Sequence, residues 1–279
     1  MAPVNGTSFS GLSKLVSDEW TAAWTAREMP LSDVRLIAPV SFGYLAAVAL
    51  LWMFMRRKER QATKGIRYFS AAHNALLCLA SLYIFVGISR ESWALYQASG
   101  SIRPLFCGLA GASEFANSRI YYWGYLYHLT KFYEFIDTGI IVVRKAPLTF
   151  LHVFHHGVVP LMSWAWLETQ LMHALVFGIW FNTLVHVIMY YYFSRTSLGH
   201  RIWWRSYITL LQIVQFVSSF ALSLVYIGYL YSGYSCTGMP SFCFSVVLNS
   251  IFLCLFVRLY QAGRRRPPAE PRAAGKKVE

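Results

Sequence analysis

Charge is what this sequence has least of. Only 13% of its 279 residues are Asp, Glu, Lys or Arg, about half the ~25% usual in soluble domains. Set against 56% hydrophobic and 17% aromatic residues, that scarcity excludes an ordinary soluble domain and implies an integral membrane protein. Acidic residues are scarcest, 12 against 25 Lys and Arg, so the net charge is +13. A nucleic-acid-binding patch is one reading of such an excess. The basic residues, however, crowd between apolar runs and at the C-terminus, the pattern that orients membrane proteins, so no nucleic-acid partner is expected. Residues 1–34 lack the charged-then-apolar start of a cleavable signal peptide. Three of the five cysteines, Cys78, Cys243 and Cys254, sit in or beside apolar runs and read as buried thiols.

What is present is a series of apolar runs. A spanning helix needs ~20 mostly apolar residues, and candidates fall at 36–55, 68–88, 119–143, 148–167, 171–193, 206–231 and 239–260. The predicted fold class is therefore all-α, a polytopic membrane protein with seven transmembrane helices. A luminal segment 1–35 precedes the membrane domain 36–260, and a basic tail 261–279 follows it. The third run is the weakest by hydropathy, because it holds Lys131, Glu134 and Asp137. Seven spans place Arg56, Arg57, Lys58, Arg60, Lys64, Arg67, Arg144, Lys145, Arg195, Arg201, Arg205 and the tail on one side. The other side receives Lys14, Arg27, Arg35, Arg90, Arg103 and Arg119. The basic side is expected to be cytosolic, with the N-terminus luminal and the C-terminus cytosolic. Asn5 then opens a glycosylation sequon on the luminal side. Cys107 and Cys236 fall in luminal loops, where disulfides can form. Lys276 and Lys277, third and fourth from the end, resemble the dilysine retrieval signal of endoplasmic reticulum membrane proteins.

An ionisable side chain at mid-membrane costs ~2.5–3.5 kcal/mol on insertion scales and is a functional-site hypothesis by default. The third span carries His128, Lys131, Glu134, Asp137 and Thr138 at spacings that share one helical face. The fourth carries His152, His155 and His156. The fifth carries Asn182, His186 and Tyr190, and the sixth Gln212 and Gln215. At ~1.5 Å rise per residue, Asp137, His155, His186 and Gln212 all lie ~10–12 Å from the basic ends of their helices. Buried polar groups need partners, so four helices with polar groups at one level imply a polar chamber near the cytosolic face. An isolated Asn, Gln or His would be interhelical packing, and Lys131–Glu134 alone would be an internal ion pair. Three imidazoles within one and a half turns have no such inexpensive structural role.

Imidazole serves as base, nucleophile or metal ligand. The HxxHH spacing of His152, His155 and His156 resembles one box of membrane di-iron desaturases and hydroxylases. Those enzymes need several boxes, and His73, His128, His173, His186 and His200 stand singly here. A mononuclear site using His152, His156, His186 and a carboxylate stays open. For acyl transfer, no Gly-x-Ser-x-Gly elbow is present and no cysteine lies beside the histidine level, so a histidine would be the nucleophile. A seven-helix receptor or transporter is the non-enzymatic alternative, although its ligand pocket would be expected nearer the other face.

Four segments on successive helices then acquire a joint meaning. "KFYEFIDT" (131–138), "FLHVFHH" (150–156), "NTLVHVIMYYYF" (182–193) and "TLLQIVQF" (209–216) closely resemble the signature boxes of the very-long-chain fatty acid elongases, the 3-ketoacyl-CoA synthases of the endoplasmic reticulum. The resemblance runs from about the second span to the end of the seventh. It implies six helices in two inverted three-helix units around a tunnel open to the cytosol. It implies condensation of a long acyl-CoA with malonyl-CoA, with no metal or other cofactor. By this resemblance His155 accepts the acyl group, His186 serves the second substrate, and His152 and His156 orient that pair. Asn182, Tyr190, Gln212 and Gln215 contact substrate together with Lys131, Glu134 and Asp137, which also hold the helices and tune the histidines. Cys107 and Cys236 would be paired as in relatives. Membrane lipid and the other enzymes of the elongation cycle are the implied partners, and homodimerisation is left open. Arg144, Lys145, Arg195, Arg201 and Arg205 would rim the opening, where CoA phosphates bind. One departure is visible: the third box usually ends in two tyrosines, and here it ends Tyr192-Phe193.

Overall fold

Helix caps and breakers divide the apolar runs into elements. A computed structural model describes residues 29–58, 63–108 and 114–264. Asn5, Lys14, Arg27, Arg60 and the tail lysines Lys276 and Lys277 lie outside the described residues. Asp33 caps helix α1 (Val34–Arg56) by accepting from the Arg35 amide, and Thr63 caps α2 (Lys64–Ser99) through Ile66 N. Gly100 ends α2 in the left-handed conformation, φ 63°. After the short α3 (Arg103–Cys107) come α4 (Glu114–Tyr133) and α5 (Phe135–Val143). Thr149 caps α6 (Phe150–Glu168), and a single π-turn (Ala174–Gly178) leads into α7 (Ile179–Ser197). The last helices are α8 (Arg205–Tyr231) and α9 (Met239–Arg264). No strand occurs among the described residues.

Five of these segments are long and apolar enough to cross a membrane: α1, α2, the π-turn with α7, α8 and α9. The remaining two runs fall short of that measure for a physical reason. The run 114–143 is interrupted at Glu134 and carries Lys131, Glu134 and Asp137, and α6 carries three histidines. The break leaves α4 of 20 residues, rich in polar and tyrosine side chains, and α5 of only 9, while the three histidines lower the hydropathy of α6. The second span also differs from its predicted limits, since α2 extends through 36 residues. At ~1.5 Å per residue this is ~54 Å, well past a ~30 Å hydrocarbon core.

The helices close a ring in which each packs on the next: α2, α4, α6, α9, α8, α7 and back to α2. The α2–α7 seam is the most extensive, and α1 stands outside the ring against α5 and α6. Phe42, Leu50, Trp52 and Phe54 of α1 remain exposed, as a lipid-facing helix requires. Close approach inside the ring depends on small residues. Gly87 of α2 lies against the Trp123 ring of α4, with no room for a Cβ. One end of the ring is basic: Arg67 donates to the carbonyls of Ser197 and Leu198, and Lys145 Nζ to those of Arg56 and Lys58. At the other end a disulfide joins Cys107 to Cys236 across 129 residues.

Candidate active site

The broken third run is the hub. Where α4 gives way to α5, Asp137 N bonds the Glu134 carbonyl in a tightened i→i+3 step, and five nearby side chains reach four other helices. Lys131 Nζ donates to Glu134 Oε1 at 2.7 Å and to Asn182 Oδ1 of α7 at 3.3 Å, and sits 4.2 Å from the centre of the Tyr127 ring. The Tyr127 hydroxyl donates to the same Asn182 oxygen at 3.0 Å. His186 Nδ1 of α7 lies 3.4 Å from Glu134 Oε1. Asp137 is shared: Oδ1 meets His73 Nε2 of α2 at 2.8 Å, and Oδ2 accepts from the Tyr190 hydroxyl at 2.8 Å. Thr138 Oγ1 meets His152 Nε2 at 2.9 Å and the Tyr44 hydroxyl of α1 at 2.8 Å. Lys131 and Glu134 are almost wholly buried, where a charge must be paired to be tolerated.

The triple histidine occupies the first two turns of α6. Thr149 Oγ1 accepts from the His152 amide at 3.2 Å, which fixes the start of the helix and hence the face shown by His152, His155 and His156. Pro160 has no N–H for the His156 carbonyl, so the ladder is open directly beneath them. The His152 and His156 rings are in tilted contact, centroids 4.3 Å apart and planes at 49°. His155 meets the His156 ring at 5.2 Å and Phe252 of α9 at 5.2 Å. His152 is committed to Thr138 and His186 to Glu134. Among the described residues the His155 ring has no hydrogen bond, and packing alone holds it.

A cavity of about 420 Å³ opens inside the ring toward its basic end. Its wall includes Glu134, Asp137, His152, His155, His156, Asn182, His186, Tyr190, Gln212 and Gln215. Lys131 is not on that wall. A narrower cavity of about 50 Å³ continues toward the disulfide end between α6, α7, α8 and α9. His155, Asn182, Gln215 and Phe216 line both spaces and form their junction. Arg144 and Arg205 reach the larger cavity, whereas Lys145 turns away to the carbonyls that end α1. Phe193, where a tyrosine is usual, lies on the same wall, in edge contact with Tyr190 and Tyr192. Among the described residues no group of three or more His, Cys, Asp and Glu side chains is arranged to hold a metal ion.

Three contributors escape a reading of the sequence by spacing: His73, Tyr44 and Tyr127. Their partners are 64, 94 and 55 residues away. For His73 a signal existed, because an ionisable residue within the second apolar run meets the criterion that marks the others.

Comparison with known proteins gives the family. The chain matches the GNS1/SUR4 family (ELO) over residues 29–271. It is 31% identical over 245 residues to fatty acid elongase sre1 of Dictyostelium discoideum, covering 87% of this chain and 89% of that protein. Fatty acid elongase A of the same organism is 33% identical over 247 residues, 85% and 88% of the two chains. Very long chain fatty acid elongase 7 of Rattus norvegicus is 31% identical over 208 residues, 70% of each. The chain belongs to the GNS1/SUR4 family.

Proposed function

We propose that this protein is a fatty acid elongase that condenses a long-chain acyl-CoA with malonyl-CoA. The observation that carries the reading is the position of His155. It lies at the junction of a polar chamber and a narrow, mostly apolar channel, with no hydrogen bond committing its ring. The chamber accommodates the thioester and malonyl groups, and the channel takes the acyl chain. Neutral His155 attacks the acyl-CoA carbonyl, the C–S bond breaks, and the ring proton leaves with the thiolate as CoA-SH. Malonyl-CoA loses carbon dioxide, and its enolate attacks the acyl-imidazole. The acyl–nitrogen bond breaks and the imidazolate regains a proton, leaving 3-ketoacyl-CoA.

His186, held by Glu134, faces the chamber where the enolate oxygen develops and stabilises it by hydrogen bonding. Asn182, Gln212 and Gln215 offer amides to the thioester and carboxylate oxygens. His152 and Tyr190 are fixed through Thr138 and Asp137 and shape the wall with His156, whose ring lies tilted against His152. Lys131 and Glu134 hold α4 to α7. The scheme uses no resident metal or other cofactor. Seven helical runs then read as seven spans in the endoplasmic reticulum membrane, with the basic end cytosolic, Asn5 luminal, and Lys276 and Lys277 as a retrieval signal. Arg144 and Arg205 at the mouth attract the CoA phosphates.

The test is release of labelled carbon dioxide from carboxyl-labelled malonyl-CoA by purified protein, with identification of a product two carbons longer. Acyl-CoA-dependent release that His155→Ala abolishes supports the reading. No release from folded protein at any chain length refutes it.

A further inference from the structure

The channel beyond His155 is not the plain hydrocarbon sleeve that a methyl-ended chain needs. His173, just ahead of the π-turn that leads into α7, lines it and is only 5% exposed. Its ring is enclosed by Tyr226 at 5.6 Å, Phe242 at 5.9 Å and Phe106 at 6.4 Å. Its Nδ1 is buried with no hydrogen-bond partner. A Phe or Leu would fill that aromatic box without burying an unpaired nitrogen, and an unsatisfied buried polar group is destabilising. Packing therefore does not account for a histidine there. Polar groups beside it on the channel wall pair with one another: Asn249 Nδ2 donates to Ser219 Oγ at 3.0 Å and Trp166 Nε1 to Ser245 Oγ at 2.7 Å. Among the described residues that line the channel, His173 is the one with a fully buried side-chain nitrogen or oxygen lacking a hydrogen-bond partner, and it lies at the far end.

Depth follows from α9. Phe252 touches His155, and Phe242, ten residues earlier, touches His173. Ten residues of helix are ~15 Å. An extended carbon chain advances ~1.3 Å per atom for C–C bonds of about 1.5 Å, so a chain anchored at His155 reaches His173 with about 12 carbons.

Building on the elongase reading, we infer that His173 is a polar subsite at the end of the acyl channel, which takes chains of about 12 carbons bearing a hydroxyl at or near the far end. The hydroxyl supplies the missing partner of the imidazole. A methyl terminus leaves that nitrogen unpaired.

The experiment compares extension of methyl-ended and ω-hydroxy acyl-CoAs of 10, 12 and 14 carbons by the full chain, as kcat/KM, in wild type, His173→Leu and His173→Gln. The inference predicts that the hydroxy-to-methyl ratio in wild type peaks near 12 carbons. His173→Leu lowers it about tenfold, the effect of one hydrogen bond, and His173→Gln restores part of it. Size-exclusion profiles and extension of the methyl-ended chains show that each variant is folded. A ratio unchanged in His173→Leu, or hydroxy chains rejected while methyl-ended chains are extended, overturns the subsite and leaves the elongase reading intact. Extension of neither series by folded wild type overturns the elongase reading and the subsite with it.

Discussion

Glu134 Oε1 sits between two nitrogens, Lys131 Nζ at 2.7 Å and His186 Nδ1 at 3.4 Å. One carboxylate oxygen thus joins a structural ion pair to a candidate catalytic imidazole. Removing one partner of a buried pair strands the other charge and costs ~3–5 kcal/mol. Lys131→Met and Glu134→Leu alone are each expected to lower the thermal midpoint in detergent substantially. The double variant, which removes both charges, regains much of that stability but not condensation, because His186 stays untethered. A stable and active double variant would show that the carboxylate has no part in positioning His186.

Asp137 gives one oxygen to His73 and the other to Tyr190. His73→Leu and Tyr190→Phe each remove one of these contacts, and hydrogen bonds to a charged group contribute ~1.5–3 kcal/mol. Steady-state assays should show a fall in kcat for each. The double variant should lose less than the product of the single effects, since both act through one carboxylate. Fully multiplicative losses would mean that the two contacts are independent.

Those contacts also mark the limit of what can be read without coordinates. The chamber is legible because intramembrane polar residues are rare and helical spacing gives their depth. Asp137, His155, His186 and Gln212, placed at one level by rise alone, line one cavity. Partner identity is not legible, because helix periodicity carries no information on which helix faces which. The ring places α2 against α7 and α4, and only then does His73 meet Asp137. The break at Glu134 is equally hidden: no proline or glycine marks it, and the buried ion pair of its own turn accompanies it.

The basic mouth separates two roles that composition cannot. Arg144 and Arg205 reach the cavity, while Lys145 bonds the carbonyls at the end of α1. Arg144→Gln and Arg205→Gln should each raise KM for acyl-CoA several-fold, with losses of ~1 kcal/mol typical of partly exposed charge contacts. Lys145→Gln should leave KM unchanged and lower stability slightly. Equal effects on KM from all three would show a diffuse field and not defined contacts.

The Cys107–Cys236 disulfide lies beside Phe106, which packs against His173 and Phe177 at the far end of the channel. Closing a loop across 129 residues contributes ~2–5 kcal/mol. Reductant or the Cys107→Ser/Cys236→Ser pair is expected to lower the unfolding midpoint, followed by tryptophan fluorescence. An unchanged midpoint would mean that packing alone secures that end.

The central claim is that His155 carries the acyl group. Purified protein would be incubated with a single acyl-CoA and no malonyl-CoA, and CoA release followed. The tryptic peptide 146–195, which holds His152, His155, His156, His173 and His186, would then be fragmented by mass spectrometry. The account predicts one CoA released per chain and a mass increase of one acyl group on His155. CoA release that awaits malonyl-CoA, or an acyl group on any other residue, would contradict it.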